Sequence, residues 1–234
     1  MKKLDAYTIA IERGDGGSAL AWCLELQGCA AFVRDGEDPV ARAELAIAEF
    51  IAWSHERSAE RATVDKGSVT VAQSLQTMAN VAGGDTTAFF LHDGEAANPK
   101  EFPRWANAHD QALDELSKLA VSLPPALWEQ RLADGRRLGD IVNHAARTEM
   151  FFAAQLKPGG GPALQPGPRS LNDAHAWLQQ VVCDVDPRPH FRREHISGQG
   201  TEDWSVRKVM RRSIWHLRLH TAEIRRVIGG IWLP

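Results

Sequence analysis

The stretch DWSVRKVMRRSIWHLRLHTAEIRRVI, residues 203–228, decides how the second half of the chain is read. It holds no Pro or Gly, Asp203 can cap its start, and Gly229-Gly230 follow as a stop, so it predicts one long helix. At about 100° per residue, Val206, Val209, Ser213, His216, His220, Ile224 and Val227 share one arc, with Arg207, Arg211, Arg218 and Arg225 opposite. Two histidines thus sit in the stripe where Leu or Ile belongs. Residues at i and i+4 stand one above the other, so two imidazoles can hold a single ion. The same spacing also suits core histidines bonded to backbone or water.

Working back from this helix, the texture is helical from Pro99 onward. A first helix over about 99–122 places Phe102, Trp105, His109, Leu113, Leu116 and Leu119 at i, i+3, i+4 spacing. A second, over about 136–156, carries Leu138, Ile141, Ala145, Phe152 and Leu156, and a third spans about 170–184 with Ser170 as its cap. The loop KPGGGPALQPGP at 157–168 separates the last two. Four helices with one apolar face each are most simply packed as a four-helix bundle.

His144 lies at the edge of the second helix's apolar arc, beside Ile141 and Thr148, and can face the last helix. Glu149 is five residues further, roughly 140° around the wheel, so it is a poor partner at the same ion. An Arg or a backbone group is the expected partner of Glu149. His109 is inward on the first helix and is expected to bond a carbonyl. His55, His92, His175, His190 and His195 show no comparable geometry and are expected on surfaces or loops.

The first third of the chain reads differently. AYTIAIE, SALAWCLEL, GCAAFVRDG and GSVTVAQSL read as strands, with RGDGGS at 13–18 as a hairpin turn between the first two. Between the third and fourth lies VARAELAIAEFIAWSHERSAE, an amphipathic helix carrying Val40, Ala43, Leu45, Ile47, Phe50 and Ile51. This order predicts a small α+β domain over 1–75, an antiparallel sheet covered by a helix, followed by an all-α bundle over 99–234. Residues 76–98 are a linker or inter-domain segment, in which TTAFFL is an edge strand or an apolar plug.

Composition bounds the function. Of 234 residues, 44% are hydrophobic and 24% charged, and the net charge is −3, an ordinary globular balance that does not point to nucleic acid. The start shows no long apolar run, so neither a signal peptide nor a membrane span is expected. Three Cys without a CxxC argue against a disulfide framework or a zinc finger, and the expected compartment is the cytoplasm. Cys23 and Cys29 are expected as buried thiols. GDGGS lacks the GK[ST] of a phosphate loop. Arg207, Lys208, Arg211 and Arg212 oppose the core and are expected on a solvated face.

Two stretches carry family resemblances. LGDIVNHAARTE, followed by DWSVRKVMRRSIWHLRLH, resembles the DinB/YfiT-like four-helix bundles over about 99–234, including the Trp204-to-Val209 approach to the last helix. That resemblance implies a divalent metal, Zn, Ni or similar, held by His144, His216 and His220. It also implies a metal-dependent enzyme, either a hydrolase or a transferase using a low-molecular-weight thiol. No catalytic residue is assigned, and the substrate is an unnamed small molecule. The N-terminal YTIAIERGDGGSALAWCLELQGCAAFVRDGEDPVARAELAIAEFIAW resembles a HicB-type antitoxin domain over about 1–75, with Gln27 where that family's LPGC motif has proline. The HicB-like resemblance implies a protein partner, and the alternative function is a non-catalytic interaction module of the toxin–antitoxin kind. No helix-turn-helix or ribbon-helix-helix segment follows it, so operator binding is not expected. A homodimer is compatible with either reading, and neither calls for a membrane.

Overall fold

The computed structural model describes residues 6–55, 68–132, 135–165, 167–186, 191–194 and 201–232. His190 and His195 lie outside the described residues. The chain divides into two compact units, one formed by residues 1–95 with 194–203, the other by 96–193 with 204–234.

In the first unit β1 (Ala6–Arg13), β2 (Ala19–Cys23) and β3 (Ala30–Val33) form an antiparallel meander, and β4 (Ser68–Gln76) joins it after α1 (Pro39–His55). The strand order is β3-β2-β1-β4. β4 runs parallel to β1, so the sheet is mixed rather than antiparallel as expected. The reason is the long connection through α1, which returns the chain to the starting end of β1, as a parallel neighbour requires. Alternation sends Ile9, Ile11, Ala19, Ala21, Ala31 and Val33 to one face, where Ala43 of α1 packs on them.

The opposite face is buried as well. Ala10, Glu12, Leu20 and Trp22 are all closed off from solvent. The segment expected as a linker supplies Ala79, Val81, Ala88 and Phe90, all buried in this same unit. TTAFFL forms no strand. It is anchored by a buried carboxylate: Glu12 Oε1 accepts from the backbone N–H of Thr87 at 2.6 Å and of Ala88 at 2.9 Å. Gly14 is required here by close approach rather than by its dihedral angles. A Cβ at that position would lie 2.5 Å from the carbonyl oxygen of Ala79 and 2.6 Å from Cγ2 of Val81. Gly14→Ala should therefore cost about 1–3 kcal/mol, the usual range for overpacking. A lowered urea midpoint with an unchanged slope is the expected result, and an unchanged midpoint would show that residues 79–81 yield freely.

The second unit is built on four long helices, α2 (Phe102–Ser122), α4 (Leu138–Leu156), α5 (Pro168–Asp184) and α6 (Val206–Trp232), with the short α3 (Pro125–Trp128) after α2. β5 (Phe191–Glu194) and β6 (Thr201–Trp204) pair just before α6. α2 packs on α5 and α6, and α4 packs on the same two, so α2 and α4 are diagonal in a four-helix bundle. The core is Trp105, Ala112 and Leu116 of α2, Leu138, Ile141, Ala145 and Phe152 of α4, Leu171 and Leu178 of α5, and Val209, Ile214 and Ile224 of α6. Trp105, Leu116, Leu138, Ile141, Ala145, Phe152, Val209 and Ile224 are positions that the helical spacing selects, whereas Phe102, Leu113 and Leu119 are only partly buried.

Both ends of α6 differ from expectation. Its cap is Ser205, whose Oγ accepts from the Lys208 N–H at 3.2 Å, rather than Asp203. Gly229 and Gly230 do not stop it, because α6 continues to Trp232. Glycine ends a helix only where the chain turns left-handed, and Gly229 is not among the positive-φ glycines.

Candidate metal centre

α4 and α6 are neighbours, and their apolar stripes bring three imidazoles to one point. His216 and His220 are buried on α6, one turn apart. His144 of α4 faces them from an exposed position. The Nε2 atoms of His220 and His216 are 3.0 Å apart, and those of His216 and His144 are 3.2 Å apart. One nitrogen from each ring lies within 4.8 Å of the others.

Ring-proton accounting shows what these nitrogens lack. His220 Nδ1 donates to Glu223 Oε2 at 2.8 Å, and Glu223 Oε1 accepts from Arg136 at 2.6 Å. This fixes a lone pair on His220 Nε2, pointing into the cluster. His216 Nε2 faces two partners but carries one proton at most. With His220 neutral, no assignment gives both contacts a hydrogen bond of their own. His216 Nδ1 is buried and has no hydrogen-bond partner. A cation shared by three Nε2 lone pairs resolves the conflict, so the donor set fits a metal ion.

Electrostatics keeps His144 and His216 neutral. Burial pushes His216 well below its ordinary range, reinforced by His220 and His144. His144 is pushed down to about 4, first by desolvation and then by His220. Although the residue as a whole is exposed, its Nε2 edge is turned into the cluster. The hydrogen bond from His220 leads the causes that hold Glu223 below the usual carboxylate range. Neutral imidazoles are the form that binds metal.

A second cluster lies on the diagonal of the bundle. His109 Nε2 donates to Glu149 Oε2 at 2.7 Å, and the Ser213 hydroxyl donates to Glu149 Oε1 at 2.5 Å. Glu149 therefore meets a histidine and a serine, not the Arg or backbone group expected, and His109 meets a carboxylate instead of a carbonyl. His175, expected on the surface, is buried, with Nε2 donating to Asp110 Oδ1 at 2.8 Å and Nδ1 3.7 Å from Glu149 Oε2. Burial alone would raise Glu149, but His109 and His175 hold it well below the usual carboxylate range. Burial lowers His109. Burial also opposes charge on His175, but Glu149 and Asp110 outweigh it and raise that ring. The α5 wheel carries the signal for His175, because Leu171, Ala174, Leu178 and Val182 bury the same arc.

The basic cluster is not a solvated face. Arg207, Lys208 and Arg211 are all buried. Arg207 donates to Glu101 at 2.7 Å, while Lys208 and Arg212 lie over the Trp204 ring at 4.6 and 4.8 Å. The first turns of α6 are thus buried around their circumference, and the amphipathic contrast resumes only toward Arg225, which is exposed. Cys23 and Cys29 are buried and free, and the thiol of Cys23 is raised well above its ordinary range by a hydrogen bond with the Cys29 thiol and by burial. A raised thiol is a poor nucleophile. No helix among the described residues is long and apolar enough to cross a membrane.

No family model matches the chain, and no curated protein matches it. Among solved structures, YfiT from Bacillus subtilis, described as a probable metal-dependent hydrolase with an unusual four-helix bundle topology, is similar at 15% identity and a TM-score of 0.42. The likeness covers 58% of this chain and 91% of that one.

Proposed function

We propose that this protein is a metal-dependent enzyme whose divalent ion, Zn, Ni or similar, is held by the Nε2 atoms of His144, His216 and His220. The observation that carries the proposal is the convergence of those three nitrogens at 3.0 and 3.2 Å, with no set of ring protons that satisfies both contacts. Three neutral nitrogens and an exposed edge at His144 suit a site that keeps a coordination position for a ligand, unlike closed structural sites with four protein donors. When bound, the ion supplies Lewis acidity, which serves either hydrolysis or the activation of a small thiol. Glu223 fixes the tautomer and orientation of His220, and Arg136 in turn holds Glu223. No acid or base is assigned, because Glu149 and His109 are turned to each other.

The test is elemental analysis of protein purified without a polyhistidine tag. One equivalent of metal lost on His216→Ala is the expected result. Metal-free wild type that binds no added zinc would sink the proposal and return the reading to a non-catalytic interaction module.

A further inference from the structure

We propose a second cation site in the bundle, closed to solvent, in which His109, Glu149, His175 and the Ser213 hydroxyl hold a divalent transition-metal ion that ties α2, α4, α5 and α6 together. It is separate from the three-histidine centre and does not depend on it.

The first observation is a shortage of protons. Ser213 Oγ lies 2.6 Å from His109 Nε2 and 2.5 Å from Glu149 Oε1, while His109 Nε2 lies 2.7 Å from Glu149 Oε2. One ring proton and one hydroxyl proton serve three close contacts. The arrangement is not a nucleophilic triad. Serine and carboxylate both meet the same ring nitrogen, whereas a serine activated by an oriented histidine needs the two nitrogens on opposite duties.

The second observation is an orphaned nitrogen. The His175 side chain is 6% exposed, and its Nδ1 has no hydrogen-bond partner. That nitrogen faces Glu149 Oε2 at 3.7 Å, too far for a hydrogen bond. At bond lengths near 2.1 Å, donor separations of 2.6, 2.7 and 3.7 Å subtend about 75°, about 80° and about 125° at a shared ion, so all three can be met by one ion. One donor atom from each of His109, Glu149 and His175 lies within 4.8 Å of the others.

The outer partners also match a ligand set. A metal-bound histidine places its other ring nitrogen on a carboxylate, carbonyl or water. His175 Nε2 is on Asp110 at 2.8 Å. His109 Nδ1 is 3.4 Å from Gln179 Nε2, the amide nitrogen that also donates to Asp110 Oδ1 at 2.9 Å. Charge balances too, since a divalent ion is met by the carboxylates of Glu149 and Asp110. The side chains of His109 and Glu149 have no exposed surface, so no substrate reaches this ion. Four protein donors and a closed surround make a structural site, in contrast to the centre beside His144.

The experiment uses cobalt(II), introduced by expression in cobalt-supplemented medium so that burial does not block loading. Bound metal and the visible cobalt spectrum are read on the full-length, untagged chain. Wild type should hold two equivalents. A variant with His144→Ala, His216→Ala and His220→Ala should keep one, and adding His175→Gln should remove it. A folded triple variant with no cobalt overturns the proposal, and the loss of a single wild-type equivalent on His216→Ala would then leave the three-histidine reading standing. A wild type that holds only a single equivalent, which the triple change leaves in place, supports the second site and removes the first. Should the triple variant not fold, His175→Gln in the wild-type background should lower occupancy from two equivalents to one, and unchanged stoichiometry overturns the proposal.

Discussion

Adding a chelator should lower the melting temperature of the wild-type protein, and a smaller drop is expected for His216→Ala. An ion that binds only the folded chain stabilises it by about 2.7 kcal/mol at a hundredfold excess over its dissociation constant. For a chain of this size each kcal/mol moves the midpoint by about 2–4 °C, so a fall of roughly 5–11 °C is expected. The sign with pH follows from the rings. The folded-state value of His144 is about 4, against an ordinary 6.5. A histidine depressed in this way contributes stability that is fully present above about pH 6.5 and is lost as pH falls toward about 4. At His144 protons compete with the metal only as pH nears the lower value. The chelator effect should therefore persist at pH 6 and vanish as pH approaches about 4. A chelator effect that disappears by pH 6, or one equally large in His216→Ala, would place the stabilising ion elsewhere.

Helical periodicity made the bundle legible because four stretches each carry one apolar arc, and Leu138, Ile141, Ala145 and Phe152 are buried as their spacing requires. The same wheel placed His216 and His220 inward, and the structure brings them to His144. It failed where burial is not one-sided. Arg207 and Lys208 sit opposite the apolar arc and are buried nonetheless, because Glu101 and the Trp204 ring accept cations on that side. The N-terminal sheet failed in the same way, since Leu20 and Trp22 face away from α1 yet are buried. A wheel or an alternation shows which face can bury. It cannot show that a second layer closes the other. Glu149 was hidden for a related reason. Its angle from His144 excludes it from the first cluster, but the partners that neutralise it, His109 and His175, come from α2 and α5. No local spacing connects residues that meet only across the bundle. Glu223, by contrast, sits three residues after His220 and was within reach of the helical pattern.

Glu149→Gln should be the most destabilising polar change in the bundle, with the measurement made on protein unfolded and refolded in chelator so that no ion contributes. Removing one partner of a buried charged pair typically costs about 3–5 kcal/mol, because the remaining polar groups are left without compensation. Glu149 has no exposed surface and receives bonds from His109 and Ser213, so little solvent is at hand to replace them. The melting temperature should fall by roughly 6–20 °C. The exposed pair Lys118–Asp114 is the contrast, with the Lys118 side chain 74% exposed, and breaking it should change stability by less than about 1 kcal/mol. The sign with acid is also defined. Glu149 is held below its ordinary 4.5, so its contribution is complete above that pH and is lost as pH falls. The gap between wild type and Glu149→Gln should accordingly narrow below about pH 4.5. His109→Gln removes the ring that donates to Glu149, and the pair should be coupled by about 0.5–3 kcal/mol. The double variant should therefore cost less than the two single changes added together. Additive costs, or a Glu149→Gln variant within about 1 kcal/mol of wild type, would mean that the carboxylate finds compensation outside this cluster and that the diagonal contact between α2 and α4 does not hold the bundle.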